Sequence, residues 1–470
     1  ADYAQAYREG VARPETVAEV VLAAIADADD DPRPLRAFRA TNRDDLMQQA
    51  AASSRRYRDG RPLSLLDGVP IAVKDEIDQV PYGTTVGTSF MGKTPATEDA
   101  TVVGRLRALG ALLIGKTNMH EIGINPDGFN GHYGIVRNPY RLDCHAGGSS
   151  NGSAAAVAAG FCPVAIGADG GGSIRIPAAL TGTVGLKATF GRVSEHGASP
   201  LTWSMGHIGP IGASTGDVAL VYAVIAGRDE RDPNSLHQPP VNLEGWNKTD
   251  LRGLRLGIFR PWFEHASAAI VENCERMVGQ LAAMGASVLE VEIPELDEIR
   301  LAQAATILAE IATNMSLHSE HWSELSPPTR VNLALAKALT ASDYLQAQRV
   351  RTRALQHFRR AFDRVDVILT PATAVTAPTV PDGCENDGWS DLGATTELMR
   401  FAMPGNLTGH PAIAFPVGYD KDGLPVGMQA MARPWEEHVL LRVAHAAEQV
   451  VTRHRPPTFY DILGTALKEG

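Results

Sequence analysis

Three stretches of the chain hold residues whose types and spacing could do chemistry. The first, AIGADGGGSIRIPA at 165–178, runs Gly170, Gly171 and Gly172 into Ser173. Consecutive glycines cost backbone entropy on folding, so bare backbone must serve a purpose there. As a phosphate cradle the stretch fits badly. A P-loop would need a lysine after its last glycine, and a dinucleotide fingerprint would need GxGxxG where residues 167–172 read GADGGG. As a nucleophile loop it fits better, because successive N–H groups from Gly170 to Ser173 could converge on an anion. A helix opening near Ile174, with Pro177 in its first turn, would add the positive end of its dipole. Gly-Gly-Ser also suits a plain turn, so the loop by itself leaves both readings open.

The second stretch is HAGGSSNGSAAAVAAG at 145–160, where a Gly-Gly-Ser-Ser turn runs into an Ala/Val helix ending at Gly160. That helix excludes a flexible linker. The third is Lys74, at the end of the apolar run VPIAVK. A lysine there is costly unless neutral or paired, or else it snorkels from a strand end. Ser173 does not stand in a GxSxG elbow, which argues against a Ser-His-Asp hydrolase of the common α/β kind. A serine nucleophile would need another base, and Lys74 is the available one. Cys144 and His145 read as chance neighbours in a loop, since catalytic Cys and His are rarely adjacent in sequence.

These groups need a scaffold. The chain has 470 residues, 44% hydrophobic and 21% charged, so burial is ample for a globular enzyme. Residues 1–55 read as helices, with PETVAEVVLAAIADA opening at Pro14. Residues 56–235 hold the motifs above. Residues 236–365 give strand, helix and strand (LRLGIF, AIVENCERMVGQLAAMG, SVLEVEIPE) and then helices, and 366–470 return to strands, with AIAFPVGY and VGMQAMA turned by DKDG. The Pro/Asp-rich piece at 228–250 is the best internal boundary, within one compact domain. Short, wholly apolar strands alternating with helices indicate the α/β class, with a buried and mostly parallel sheet.

Composition narrows the partners. A formal net charge of −11 argues against nucleic acid and anionic membranes. The four cysteines, Cys144, Cys162, Cys274 and Cys384, form no CxxC pair, which suits a reducing compartment rather than a zinc site or disulfide framework. The run AAAVAAGFCPVAIGA at 154–168 contains Gly and Pro and is too short to span a bilayer. No signal peptide is visible, because VVLAAIA is flanked by Glu19 and Asp27. The expectation is a soluble, cytoplasmic protein; a start at Ala1 rather than Met leaves a trimmed segment open.

GGSSNGSAAAVAAG followed by GADGGGSIRIPAALTGTVGLKAT closely resembles the signature of the amidase signature hydrolases. The spacings from Lys74 to Ser149 and from Ser149 to Ser173 agree with that family. Further matches are GKTNMHEIG at 115–123, RNPY at 137–140, NLTGHPAIAFPVG at 406–418 and DGLPVGMQAMARP at 422–434, so the resemblance covers nearly the whole chain. KDEIDQVPYGTT at 74–85 and HYG at 132–134 look most like plant-type fatty acid amide hydrolases. The A-type component of glutaminyl-tRNA amidotransferases usually has Gln where this chain has Ile176; it stands as one alternative, and an N-acylethanolamine or fatty acid amide hydrolase proper as the other.

The resemblance implies a single α/β/α domain with a large mixed, mostly parallel central sheet. It also implies a Ser-cisSer-Lys triad: Ser173 as nucleophile and acyl carrier, Ser149 after a cis peptide as proton relay, and Lys74 as base. To accept a proton Lys74 must be uncharged, a form that burial favours. The family's oxyanion donors map onto the backbone of Gly170, Gly171, Gly172 and Ser173, and Asp169 and Arg175 onto positions that brace the loop. Two departures stand out: Gly170, where many members have Thr or a branched residue, and Asn151, where Gly is usual. The implied activity is hydrolysis of apolar acyl or aryl amides, with carbamates (urethanes) and esters as further substrates. Neither metal nor organic cofactor is implied, and the expected assembly is a monomer or homodimer.

Overall fold

The apolar runs become thirteen strands: β1 (Phe38–Thr41), β2 (Pro70–Lys74), β3 (Leu112–Thr117), β4 (Arg137–Asn138), β5 (Arg141–His145), β6 (Val164–Ala168), β7 (Val184–Lys187), β8 (Ile208–Gly212), β9 (Arg255–Ile258), β10 (Ser287–Glu290), β11 (Val367–Pro371), β12 (Ala412–Tyr419) and β13 (Pro425–Ala432). The computed structural model describes residues 2–469. Eleven strands join in one sheet, in the order β1-β3-β2-β6-β8-β7-β12-β13-β11-β9-β10, while β4 and β5 form a separate hairpin.

The sheet is mixed, but it is not mostly parallel. Parallel pairs link β2 to β3 and β6, and β9 to β10 and β11. The remaining neighbours, from β6–β8 through β12–β13 to β11–β13 and the β1–β3 edge, run antiparallel. The cause of the difference is burial. Strands β2, β6, β8 and β11 are buried at every position, and covering both faces produces continuous apolar runs whatever the strand direction. Direction is set by connections instead: the tight turn after Tyr419 can join β12 and β13 only as an antiparallel hairpin.

Residues 1–55 hold helices at Asp2–Glu9, Pro14–Asp29 and Arg43–Arg58 (the last running past this segment), but FRAT between them forms β1 rather than helix. Side chains alternate across the sheet, so Ile71 and Val73 enter one core while Ala72 enters the other. The first core is covered by the helices Thr101–Ala108, Thr215–Ile225, Ala268–Ala283 and Glu437–Glu448. The second includes the N-terminal helices and Asn151–Ala158, whose Ala-rich sequence lets it sit fully buried against the sheet. Pro327–Ala338 packs on Leu296–Met315, which forms a helical layer beyond β9–β13 together with Ala341–Arg364. Ala341–Arg364 is opened by a reciprocal Thr340–Asp343 capping box. Among the described residues no helix is long and apolar enough to cross a membrane.

Candidate active site

Lys74 closes β2, with β3 on one side and β6 on the other, and is fully buried. Its Nζ donates to Ser149 Oγ at 2.9 Å and to the Ala168 carbonyl at 3.3 Å. It also lies 2.6 Å from Glu76 Oε2. Nζ therefore finds its partners inside the protein, and snorkelling is excluded. Ser149 sits just before the helix Asn151–Ala158, and the Gly148–Ser149 peptide is cis. A side chain at 148 would place its Cβ 2.3 Å from the Asp127 carbonyl oxygen, so glycine is required there. Asn151 is accommodated at the start of its helix, where its own Oδ1 accepts from Gly152 N–H at 2.8 Å.

The glycine loop leaves β6 and enters the helix Arg175–Leu180. It is tied to the serine turn, since Ser150 N–H donates to the Ser173 carbonyl at 3.2 Å and Ser150 Oγ to the Ala168 carbonyl at 3.0 Å. Lys74 and Ser149 are buried, whereas Ser173 is partly exposed. Gly172 has φ +124°, and a Cβ there would stand 2.6 Å from Ile176 Cδ1. Around Gly170, Thr202 Oγ1 and Ile307 Cδ1 lie 3.0 and 3.3 Å from where a Cβ would be, so a branched side chain would be crowded there.

Asp169 and Arg175 hold the loop. Both carboxylate oxygens of Asp169 accept from Arg175, Nε and Nη2 each at 3.0 Å. The same oxygens take Gly172 N–H at 2.7 Å and Ile174 N–H at 3.2 Å. Burial alone would raise this carboxyl, but the Arg175 charge and hydrogen bonds, helped by Lys187 and Asn406, hold it well below the ordinary value. Arg175 also donates to Gln429 Oε1 at 2.6 Å and to Asn406 Oδ1. Of the four N–H groups expected to face an oxyanion, Gly172 is thus already committed to Asp169. Those of Gly170, Gly171 and Ser173 make no hydrogen bond among the described residues.

Two cavities meet at Ser173. One, of about 220 Å³, has Lys74, Glu76, Ser149, Glu195 and His207 among its lining residues. The Glu195 carboxyl is pushed up to about 8, first by burial and then by the negative charges of Asp232, Glu76 and Glu310. The other, of about 420 Å³, is walled by Ile124, Ile176, Leu301, Ile307, Leu308 and Met399. Ile176 therefore faces an apolar chamber.

Cys144 stays out of this chemistry. It is buried in β5, its thiol raised to about 11 by burial and the Asp143 charge, while burial takes the neighbouring His145 down to about 4. All four cysteines are free and buried.

Glu76, Glu195, Gln303, Asn406 and Gln429 went unassigned in the sequence. A signal existed for one of them: Gln429 is a lone polar residue inside the apolar strand PVGMQAMA.

Comparison with known proteins places this arrangement. The chain is 42% identical over 474 residues to a fatty acid amide hydrolase of Medicago truncatula, covering 98% of this chain and 78% of that one. Identity to the A-type component of the glutamyl-tRNA(Gln) amidotransferase of Symbiobacterium thermophilum is 35%, over 93% of each chain. The solved peptide amidase of Stenotrophomonas maltophilia superimposes with a TM-score of 0.84 at 29% identity, over 97% of both chains. Fold and relatives together define a hydrolase of amide C–N bonds. A family model described as Amidase matches residues 19–441, and the chain belongs to that family, the amidase signature enzymes. The expected lean toward the plant fatty acid amide hydrolases over the amidotransferase component is borne out by the identities.

Proposed function

We propose that this amidase cleaves small amides with an apolar acyl or aryl group through an ester on Ser173. Ser173 Oγ attacks the amide carbon while its proton passes to Ser149 and the Ser149 proton to Lys74. The C–N bond then breaks as the relay runs backwards and delivers a proton to the departing amine. Water attacks the resulting ester by the same route and releases the carboxylic acid. The N–H groups of Gly170, Gly171 and Ser173 stabilise the oxyanion in both halves. Carbamates and esters fall within reach of the same chemistry, since each offers a carbonyl carbon with a leaving group.

The observation that carries this reading is the fully buried Lys74 Nζ–Ser149 Oγ hydrogen bond of 2.9 Å, in a cavity that reaches Ser173. An apolar chamber of about 420 Å³ on the other side of Ser173 is in the range that holds a small-molecule acyl group. The likeness to a fatty acid amide hydrolase supports the same substrate class.

A panel tests it: acyl p-nitroanilides and N-acylethanolamines of graded length, aryl carbamates, p-nitrophenyl esters and free glutamine. Turnover should rise with acyl length until the apolar chamber is full, and Ser173→Ala should abolish it. Ammonia release from glutamine with no turnover of the apolar amides would contradict the reading.

A further inference from the structure

The helix Leu296–Met315 belongs to none of the sequence motifs, yet it reaches the glycine loop. Its residues Gln303, Thr306 and Glu310 form a polar stripe with 0% exposure at each position. Glu310 accepts from Ser204 N–H at 3.2 Å, and Thr306 from Gln348 Nε2 at 3.0 Å, which fastens the helix in place. Gln303 Nε2 donates to the carbonyl oxygen of Gly170 at 3.0 Å. Its Oε1 is buried with no partner among the described residues. An apolar side chain would fill this site without leaving a buried acceptor unpaired. The polar head of Gln303 therefore serves one contact, the Gly170 carbonyl.

That contact governs a second group. The Gly170–Gly171 peptide is not among the cis bonds, which are Val80–Pro81 and Gly148–Ser149. In a trans peptide the carbonyl of one residue and the N–H of the next lie in one rigid plane and point in opposite directions. Holding the Gly170 oxygen toward the helix directs the Gly171 N–H away from it. Two successive glycines are the residues freest to rotate this plane. A flip would turn a carbonyl oxygen, instead of a donor, toward the developing oxyanion.

We propose that Gln303 is a positioning residue: by anchoring the Gly170 carbonyl it fixes the Gly171 N–H as an oxyanion donor beside Ser173. This rests on Ser173 being the nucleophile. The same helix walls the apolar chamber with Leu301, Ile307 and Leu308, so the wall that packs on the acyl group also sets the donor.

The test is Gln303→Met, which keeps length and removes the donor, with Gln303→Leu as a second variant should the first misfold. Three quantities are measured: kcat and KM for the best-turned-over p-nitroanilide, Ki for the trifluoromethyl ketone of the same acyl chain, and Ki for the product acid. The expected result is a kcat lower by on the order of 10²-fold, as for loss of one oxyanion donor, with KM within about threefold. The ketone should weaken by the same factor as kcat/KM, while product-acid affinity and melting temperature stay at wild-type values. Wild-type kcat in Gln303→Met, or equal weakening of ketone and acid, would overturn the inference. Fluorophosphonate labelling of the wild type separates the two levels. Absence of label on Ser173 sinks the nucleophile assignment, whereas a labelled Ser173 with an inert Gln303→Met sinks only the role of Gln303.

Discussion

Replacing Asp169 by asparagine removes the charge that organises the glycine loop and leaves Arg175 buried without its carboxylate. Both side chains are 0% exposed, so solvent screening gives no relief. The carboxylate accepts from two Arg175 nitrogens, from Gly172 and Ile174 N–H, and from Asn406 Nδ2 at 2.9 Å. An asparagine offers one acceptor and sets an amide NH2 against this ring of donors. Breaking one side of a buried ion pair costs about 3–5 kcal/mol. For 470 residues, the unfolding entropy per residue makes 1 kcal/mol worth about 1 °C in melting temperature. The expected drop is therefore about 3–5 °C at pH 7, together with a fall in kcat, measured by calorimetry and amide turnover. Pairing the change with Arg175→Met should cost less than the sum of the single changes, since the double variant strands no charge. The pH sign follows from the depressed Asp169 carboxyl. The brace contributes fully above about pH 4, the unfolded value, and is lost as pH falls toward the folded one. The wild-type advantage over Asp169→Asn should thus shrink in acid. An Asp169→Asn protein melting within about 1 °C of wild type with full turnover would refute the reasoning.

Other perturbations separate the remaining parts. Ser149→Ala should lower kcat by about 10²–10⁴-fold, the range for a proton-transfer group, without loss of melting temperature; unchanged kcat would remove Ser149 from the relay. Glu195 has a folded value of about 8, above that of an unfolded glutamate, so ionising it opposes folding. Glu195→Gln should accordingly gain stability relative to wild type as pH rises from about 4 to about 8 and hold that gain above it; denaturant titrations parallel at every pH would contradict this. Leu308→Trp narrows the apolar chamber and should lower kcat/KM for the longest acyl p-nitroanilide turned over by about tenfold or more, sparing the acetyl compound. Equal loss for both would show that Leu308 does not line the acyl path.

Local signals made the site's centre legible. Lys74 ends an apolar run, and both serines stand in glycine turns feeding helices, patterns confined to a few consecutive residues. The residues that condition them arrive from elsewhere in the chain: Gln303 from a helix far along the sequence, Asn406 and Gln429 from the C-terminal return. No spacing rule links such partners, because they meet only once the sheet order is set. Glu76 lies two positions from Lys74, yet its role depends on a backbone course after β2 that brings its carboxylate back onto Nζ. The fold was read where apolar runs stand out, as in VPIAVK, LRLGIF and VGMQAMA, which became β2, β9 and β13. It was missed in β8, whose sequence IGPIG holds two glycines and a proline that break strand patterns. Strand direction escaped because a wholly buried strand reads the same either way.

The most direct test is covalent capture. The protein is mixed with a slowly hydrolysed N-alkyl p-nitrophenyl carbamate, which loses p-nitrophenol on capture, quenched in acid, and its intact and peptide masses are read. The account predicts a single carbamoyl group on Ser173, absent in Ser173→Ala and formed far more slowly in Lys74→Ala. A carbamoyl group on another residue, or undiminished capture without Lys74, would contradict it.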